Sequence, residues 1–153
     1  MLLNDQPVTL KIPNKVVYSA HVYPKEVSDA PGDYGTAWID RMNSIWGFLV
    51  KQDIAPVFVG ECGDWLATPD AQAWVAAFVS YVNGTAPGGP TFSAGQQGIS
   101  WGWWNWGVTE NGGKAPDFGV LTAWKGGSLK PQQAAVLNQL FFHASPNHRP
   151  PQR

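Results

Sequence analysis

The chain has 153 residues, the length of one ordinary domain, and a net charge of −1 at pH 7. That balance offers no basic surface, so neither nucleic acid nor a membrane is an expected partner. No apolar stretch approaches the roughly 18 residues of a transmembrane helix, and residues 1–13 lack the charged and apolar regions of a signal peptide. The single cysteine, Cys62, excludes an internal disulfide.

The nine tryptophans are more than the core of so short a chain needs. Charged residues make up only 14% of the sequence, so much of the surface must be uncharged. An indole face offers apolar area to the C–H face of a sugar ring. We therefore expect some of the surplus tryptophans to form stacking surfaces.

The first half of the chain predicts a strand, a helix and a second strand. Residues 16–20 are mostly β-forming and predict the first strand, and residues 10–12 are a candidate for a shorter one before it. Residues 38–50 carry apolar side chains at helical spacing. Residues 56–60 form a nearly unbroken apolar run, which is typical of a strand covered on both faces.

The second half of the chain repeats this order. Residues 68–82 predict a helix with an apolar stripe, for which Thr68 or Asp70 is the candidate N-cap. Residues 99–103 predict a third strand, and residues 132–142 predict a last helix.

Repeated strand–helix units imply parallel strands joined by crossovers. Three such units form either an open α/β sheet or part of a (β/α)8 TIM barrel. A complete barrel takes about 250 residues, so this α/β chain is expected to hold about three of its eight units. We assign residues 1–13 to an N-terminal segment, 14–142 to the partial barrel and 143–153, which are rich in proline, to a disordered tail.

Glu61 is the strongest candidate for a catalytic residue. It directly follows an apolar strand and lies between Gly60 and Gly63. The carboxyl ends of parallel strands carry the catalytic groups of such folds, and a carboxylate there can attack an anomeric carbon. The alternative is a helix N-cap or a salt bridge at the rim.

His21 and Tyr23 are candidates for substrate binding at the preceding strand end. Being two residues apart, they should point to the same side. A histidine there can bond a sugar hydroxyl, and a tyrosine can orient a carboxylate through its phenol. The alternative is a buried histidine and an interface tyrosine.

Four tryptophans lie on and just after the third strand. By alternation Trp101 and Trp103 share one face, and Trp104 and Trp106 take the other. One pair should belong to the core, and the other can form the floor of a sugar subsite. Trp65, just past Glu61, is a second candidate for stacking at the rim, although core packing is the alternative for any single tryptophan.

The remaining acidic residues are expected to be solvated in loops, because none follows a strand as Glu61 does; these are Glu26, Asp64, Glu110 and Asp117. Cys62 has no activating partner in the sequence and is expected to be a small buried filler. The histidines do not form a metal-binding pattern, and no cofactor is predicted.

Together these motifs resemble the last part of a family 5 glycoside hydrolase, close to the bacterial endo-β-1,4-glucanases. Residues 12–23 (IPNKVVYSAHVY), 54–63 (IAPVFVGECG) and 100–106 (SWGWWNW) are similar to the sixth, seventh and eighth barrel strands of that family. The resemblance implies a retaining cellulase-like reaction with Glu61 as nucleophile, His21 and Tyr23 lining the catalytic subsite, and Trp104 under the reacting sugar. It also implies a β-glucan or cello-oligosaccharide substrate and a secreted parent protein.

The chain departs from the family in one important respect. The family carries its acid/base glutamate in an Asn-Glu-Pro motif after the fourth strand, and no such motif occurs here. Cys62 also stands where the family commonly has phenylalanine. We therefore expect completion by a homo-oligomer or by a complementing N-terminal half, with a non-catalytic carbohydrate-binding or vestigial half-barrel as the alternative.

Overall fold

The computed structural model describes residues 7–28, 32–94, 96–108 and 118–140. Strands and helices alternate along them as predicted, in the order β1 (Tyr18–Val22), α1 (Thr36–Met42), α2 (Phe48–Lys51), β2 (Val57–Cys62), α3 (Pro69–Val82), β3 (Ser100–Trp103) and α4 (Pro131–Leu140). A π-helical turn, Asn43–Gly47, joins α1 to α2. None of the described helices is long and apolar enough to cross a membrane.

The three strands form one parallel sheet in the order β1-β2-β3, which confirms the predicted α/β class. Two rows of lateral neighbours give its register: Ser19–Phe58–Ser100 and Ala20–Val59–Trp101. Each outer strand is paired on one side only within the described residues. The sheet therefore has two open edges.

The two faces of the sheet differ in what covers them. Val57 and Val59 of β2 lie in a core with large aromatic side chains of the helices: Trp38, Trp46, Trp74, Phe78 and Tyr81. On the opposite face, Ser19 and Phe58 are exposed to solvent. In a closed barrel the face that does not meet the helices is the interior.

The start of the chain differs from the sequence-based expectation. The first strand begins two residues later than predicted and runs to Val22, because its last two residues pair with the end of β2. His21 is consequently part of the strand. The short strand predicted at residues 10–12 is wrong: Leu10 and Ile12 are exposed in irregular chain, and none of the described strands pairs with them.

The helix predicted at residues 38–50 is interrupted by the π-helical turn. Tyr81, fully buried on α3, donates a hydrogen bond from its hydroxyl to Asn43 Oδ1 at 2.9 Å. The same hydroxyl lies so close to Gly47 that a Cβ at this position would overlap it. Gly47 therefore allows α3 to approach the turn.

The third helix follows its prediction closely. Thr68 is the N-cap, and its Oγ1 accepts a hydrogen bond from Ala71 N at 3.0 Å. Pro69 occupies the first helical position, where its missing N–H costs nothing. The last helix is described to Leu140, so its predicted end at residue 142 and the tail at 143–153 lie outside the described residues.

Replacing Gly47 by alanine should destabilise the chain, although alanine is ordinarily the better helix former. We expect Gly47→Ala to lower the free energy of unfolding by about 1–3 kcal/mol, the usual cost of overpacking. In a Tyr81→Phe background, which lacks the overlapping oxygen, the same change should cost about 1 kcal/mol less. Urea denaturation of the four chains of this cycle measures both effects, and equal costs in the two backgrounds would contradict the assigned contact.

Candidate active site

Glu61 reaches the open face of the sheet because β2 is irregular at its end. Strict alternation would place Glu61 on the same face as Val57 and Val59, inside the core. The register of β2 instead shifts before His21 on one side and after Val59 on the other. Such irregularities re-aim side chains at strand ends. The Glu61 side chain is 30% exposed.

The glycines on either side of Glu61 allow close contact between neighbouring backbones. A Cβ at Gly60 would overlap Ser19 Oγ of β1, and a Cβ at Gly63 would overlap the main-chain oxygen of Trp104. Trp104 N also donates to Cys62 O at 2.7 Å. The segment that carries Glu61 is thus held between the ends of β1 and β3.

Within the described residues, polar contacts to the Glu61 carboxylate come from the end of β1 and the residue after it. Tyr23 donates a hydrogen bond from its hydroxyl to Glu61 Oε2 at 2.9 Å. His21 Nδ1 lies 3.4 Å from the same oxygen, and its side chain is 57% exposed. The prediction that the two side chains share one side is confirmed, and His21 is not the buried histidine of the alternative interpretation.

Tyr23 remains protonated throughout the neutral range. Burial first, and then the hydrogen bond and negative charge of Glu61, raise the pKa of the phenol well above its usual value. Each of these causes disfavours the phenolate. Tyr23 is therefore a fixed hydrogen-bond donor to the carboxylate.

Phe118 contacts two aromatic side chains beside Glu61. It was not predicted from the sequence. Its ring stacks on Trp65 with a centroid distance of 5.5 Å and an angle of 6°, and it lies 6.3 Å from the Tyr23 ring. Its main-chain oxygen accepts a hydrogen bond from Trp103 Nε1 at 2.9 Å. We call Tyr23, Trp65 and Phe118 the aromatic wall. No periodicity marked Phe118, which lies in the long connection between β3 and α4.

The tryptophans of the third strand divide as alternation predicts. Trp101 and Trp103 pack against the core. Trp104 and Trp106, just after the strand, have exposures of 49% and 68%. The exposed pair offers indole surface at the end of β3, next to the end of β2 that carries Glu61.

Comparison with known proteins identifies the family. Residues 3–110, more than half of the chain, match the model of the cellulase family, glycosyl hydrolase family 5. The chain belongs to glycosyl hydrolase family 5. An endoglucanase of Paenibacillus polymyxa is 41% identical over 85 residues, which cover 51% of this chain and 21% of that protein.

Solved structures show the family's fold. The endocellulase of Pyrococcus horikoshii, determined with cellotetraose, matches with 20% identity and a TM-score of 0.64. The catalytic domain of the major endoglucanase of Xanthomonas campestris matches with 18% identity and a TM-score of 0.65. Each match covers 90% of this chain but 34% and 36%, respectively, of the other. The family 5 chain described here thus spans about a third of the length of these TIM-barrel enzymes.

Asp64 lies three residues after Glu61, the candidate nucleophile of this family 5 chain. The expectation that Asp64 is a solvated loop residue is wrong. Its side chain is fully buried. Oδ1 accepts a hydrogen bond from Leu66 N at 2.5 Å, and Oδ2 is buried with no hydrogen-bond partner among the described residues. Burial raises the pKa of Asp64 to about 6; the charge of Glu26 adds to the rise, and the Leu66 N–H opposes it.

Of the other polar candidates, those within the described residues contribute to the packing and hydrogen bonding of the fold. Glu26 accepts a hydrogen bond from the hydroxyl of Thr68. Cys62 is a buried filler as predicted; burial raises the pKa of its thiol to about 12, so it remains protonated. Glu110 and Asp117 lie outside the described residues. No group of three metal-ligating side chains occurs among the described residues.

The buried Asp64 should make stability depend on pH. Its folded pKa of about 6 exceeds the ordinary 3.8, so the neutral acid favours folding below about pH 4 and this contribution is lost as pH rises through 6. Asparagine stays neutral. The stability of Asp64→Asn relative to the natural chain should therefore rise by about 2 kcal/mol between pH 4 and 7.

Urea unfolding at several pH values measures this difference. Asp33→Asn is the matched control, because Asp33 also accepts a hydrogen bond from a backbone N–H two residues on, that of Gly35, but is exposed. A stability difference for Asp64→Asn that does not change with pH would contradict the assignment.

Proposed function

We propose that this chain carries the nucleophile side of a retaining β-1,4-glucan-cleaving site, with Glu61 as the nucleophile. One observation supports this above the others: in a family 5 chain, a partly exposed carboxylate at the end of a parallel strand is held by Tyr23 and His21 through a single oxygen. Within the described residues the polar contacts of Glu61 go to this oxygen, and we propose that the other oxygen faces the substrate. Carboxylates at this edge of α/β barrels are where such enzymes place their chemistry.

The proposed reaction has two steps. In the first, a Glu61 oxygen attacks the anomeric carbon, the glycosidic C–O bond breaks, and the departing oxygen takes a proton from an acid. In the second, water attacks the anomeric carbon and gives a proton to the conjugate base of that acid, the bond to Glu61 breaks, and the sugar leaves with its configuration retained. Tyr23 keeps the carboxylate oriented during the attack, because its proton stays on the phenol.

The acid must come from outside the residues described around Glu61. A retaining pair stands about 5–5.5 Å apart, and the Asn-Glu-Pro motif that supplies the family's acid is absent from the sequence. The open edges of β1 and β3 offer backbone groups for further strands. We propose that a second copy or a complementing N-terminal half adds to these edges and completes the barrel.

The substrate class follows from the aromatic surfaces. The exposed faces of Trp104 and Trp106 suit the C–H faces of glucose units, and the relatives are named as endoglucanases and endocellulases. We propose β-1,4-glucan and cello-oligosaccharides as substrates. Because a polysaccharide of this kind does not enter cells, the proposed place of action is extracellular.

A second candidate function is carbohydrate binding without cleavage. The two exposed tryptophans favour it, because they can hold a glucan chain whether or not an acid is present. The two candidates differ in one observable quantity, the release of reducing ends.

Removing the charge of Glu61 separates the two functions. We expect Glu61→Gln to abolish release of reducing sugar from carboxymethyl-cellulose by at least about 10³-fold, as loss of a nucleophile does, while tryptophan fluorescence still reports cellotetraose binding. Glu26→Gln is the matched control, since glutamine can still accept the Thr68 hydroxyl. It should retain both activity and binding.

The assay is run on fractions sized by light scattering. Activity confined to a dimer, larger species or reconstituted complex supports completion of the barrel. Binding without release in every fraction supports the carbohydrate-binding alternative, and equal activity in Glu61→Gln would contradict Glu61 as nucleophile.

A further inference from the structure

The loop after the candidate nucleophile makes a buried turn that involves a carboxylate. Asp64 Oδ1 accepts the N–H of Leu66, two residues on, so that the side chain closes a turn around the residue between them. Leu66 has a φ of 62°, in the left-handed region that leucine seldom adopts. This backbone conformation needs a specific interaction to hold it, and the Asp64 bond provides one.

Trp65 is the residue inside this turn. With Asp64 buried before it and Leu66 buried after it, the backbone on both sides of Trp65 is fixed. The Trp65 indole stacks on Phe118 with nearly parallel rings. One face of the indole is occupied by Phe118, and the side chain as a whole remains partly exposed.

We propose that Asp64 is a positioning residue: its buried turn presets Trp65 against Phe118, so that the aromatic wall beside Glu61 stands ready before a sugar arrives. The sugar as occupant rests on the proposed function; the positioning of Trp65 does not. Presetting matters because ordering a large side chain during binding would reduce affinity.

The free-energy cost of burying the Asp64 carboxyl supports a role for it in positioning Trp65. Burying a carboxyl is destabilising when one of its oxygens has no hydrogen-bond partner, as is the case for Asp64 Oδ2 in the part of the chain that the structure describes. An exposed asparagine or serine would close an ordinary turn without that cost. Burial raises the pKa of Asp64 to about 6, so the neutral acid is less disfavoured here than in water, and the bond to Leu66 N needs only a carbonyl-type oxygen. Asparagine should therefore substitute for aspartate in this role.

The test that needs no ligand uses 5-fluorotryptophan and fluorine NMR, with the Trp65 signal assigned by Trp65→Phe. We expect Asp64→Ala and Asp64→Leu, which lack the acceptor, to move the Trp65 signal towards that of an exposed indole while the other eight signals keep their dispersion. Asp64→Asn should leave the Trp65 signal in place. Asp33→Ala, which removes the same kind of bond at an exposed turn, should also leave it in place.

Several outcomes would overturn the proposal. A Trp65 signal that stays in place in a folded Asp64→Leu chain would do so, as would equal shifts in Asp64→Ala and Asp33→Ala. Loss of the fold in both acceptor-free variants, with Asp64→Asn folded, would show that Asp64 serves the fold as a whole and does not position Trp65 in particular.

The second arm measures cellotetraose affinity. Asp64→Ala should weaken binding about three- to tenfold, to the level of Trp65→Ala, because one aromatic contact is lost in both. The double variant should bind no more weakly than Trp65→Ala, and Asp64→Asn should restore the affinity. If the natural chain binds no cellotetraose, the proposed function fails while the NMR result still decides the positioning of Trp65.

Discussion

The irregular end of β2 is the constraint on which the site depends. Regular alternation would put Glu61 beside Val57 and Val59, among the apolar side chains under the helices, where its charge would be strongly disfavoured. The shift in register sends Cys62 into the core and leaves Glu61 partly exposed on the other face. Everything else at the site is arranged around that displaced carboxylate.

The contacts around Glu61 come from all three strand ends. The end of β1 supplies His21, and the residue directly after the strand is Tyr23. The residue after β3, Trp104, bonds the main chain of β2 and lies against Gly63. Parallel strands place such ends at one edge of the sheet, so a local backbone feature of β2 becomes a shared site.

Much of this could be predicted from the sequence, because it follows from short-range patterns. The apolar runs located the three strands to within two residues, although the run at residues 10–12 forms none. The spacing of His21 and Tyr23 placed them on one side, and Thr68 was one of two candidates for the cap of α3. The rest depends on contacts that no local pattern encodes. The register shift beside Glu61 has no sequence signal beyond a glycine, and Phe118 comes from a remote connection. Asp64 was expected to be a solvated loop residue. Its burial could not be predicted, because the burial of a lone carboxylate depends on how the surrounding chain packs over it.

The open edges of the sheet and the lack of an Asn-Glu-Pro motif have a common explanation in the proposed completion of the barrel. Within the described residues, Phe58 is exposed and β1 and β3 are each unpaired along one edge, and the motif that carries the family's acid is absent from the sequence. Added strands would bury Phe58 and bring a second carboxyl towards Glu61 in one event. The proposed cleavage and the proposed completion of the barrel are therefore linked.

The most direct test of Glu61 as nucleophile avoids the missing acid altogether. A 2-deoxy-2-fluoro-β-cellobioside with a dinitrophenolate leaving group needs no protonation to depart, and the fluorine slows hydrolysis of the glycosyl-enzyme. We expect one equivalent of dinitrophenolate to be released and the fluorocellobiosyl mass to appear on the peptide that contains Glu61. A label on another residue, or no label in a folded and complemented chain, would contradict the account.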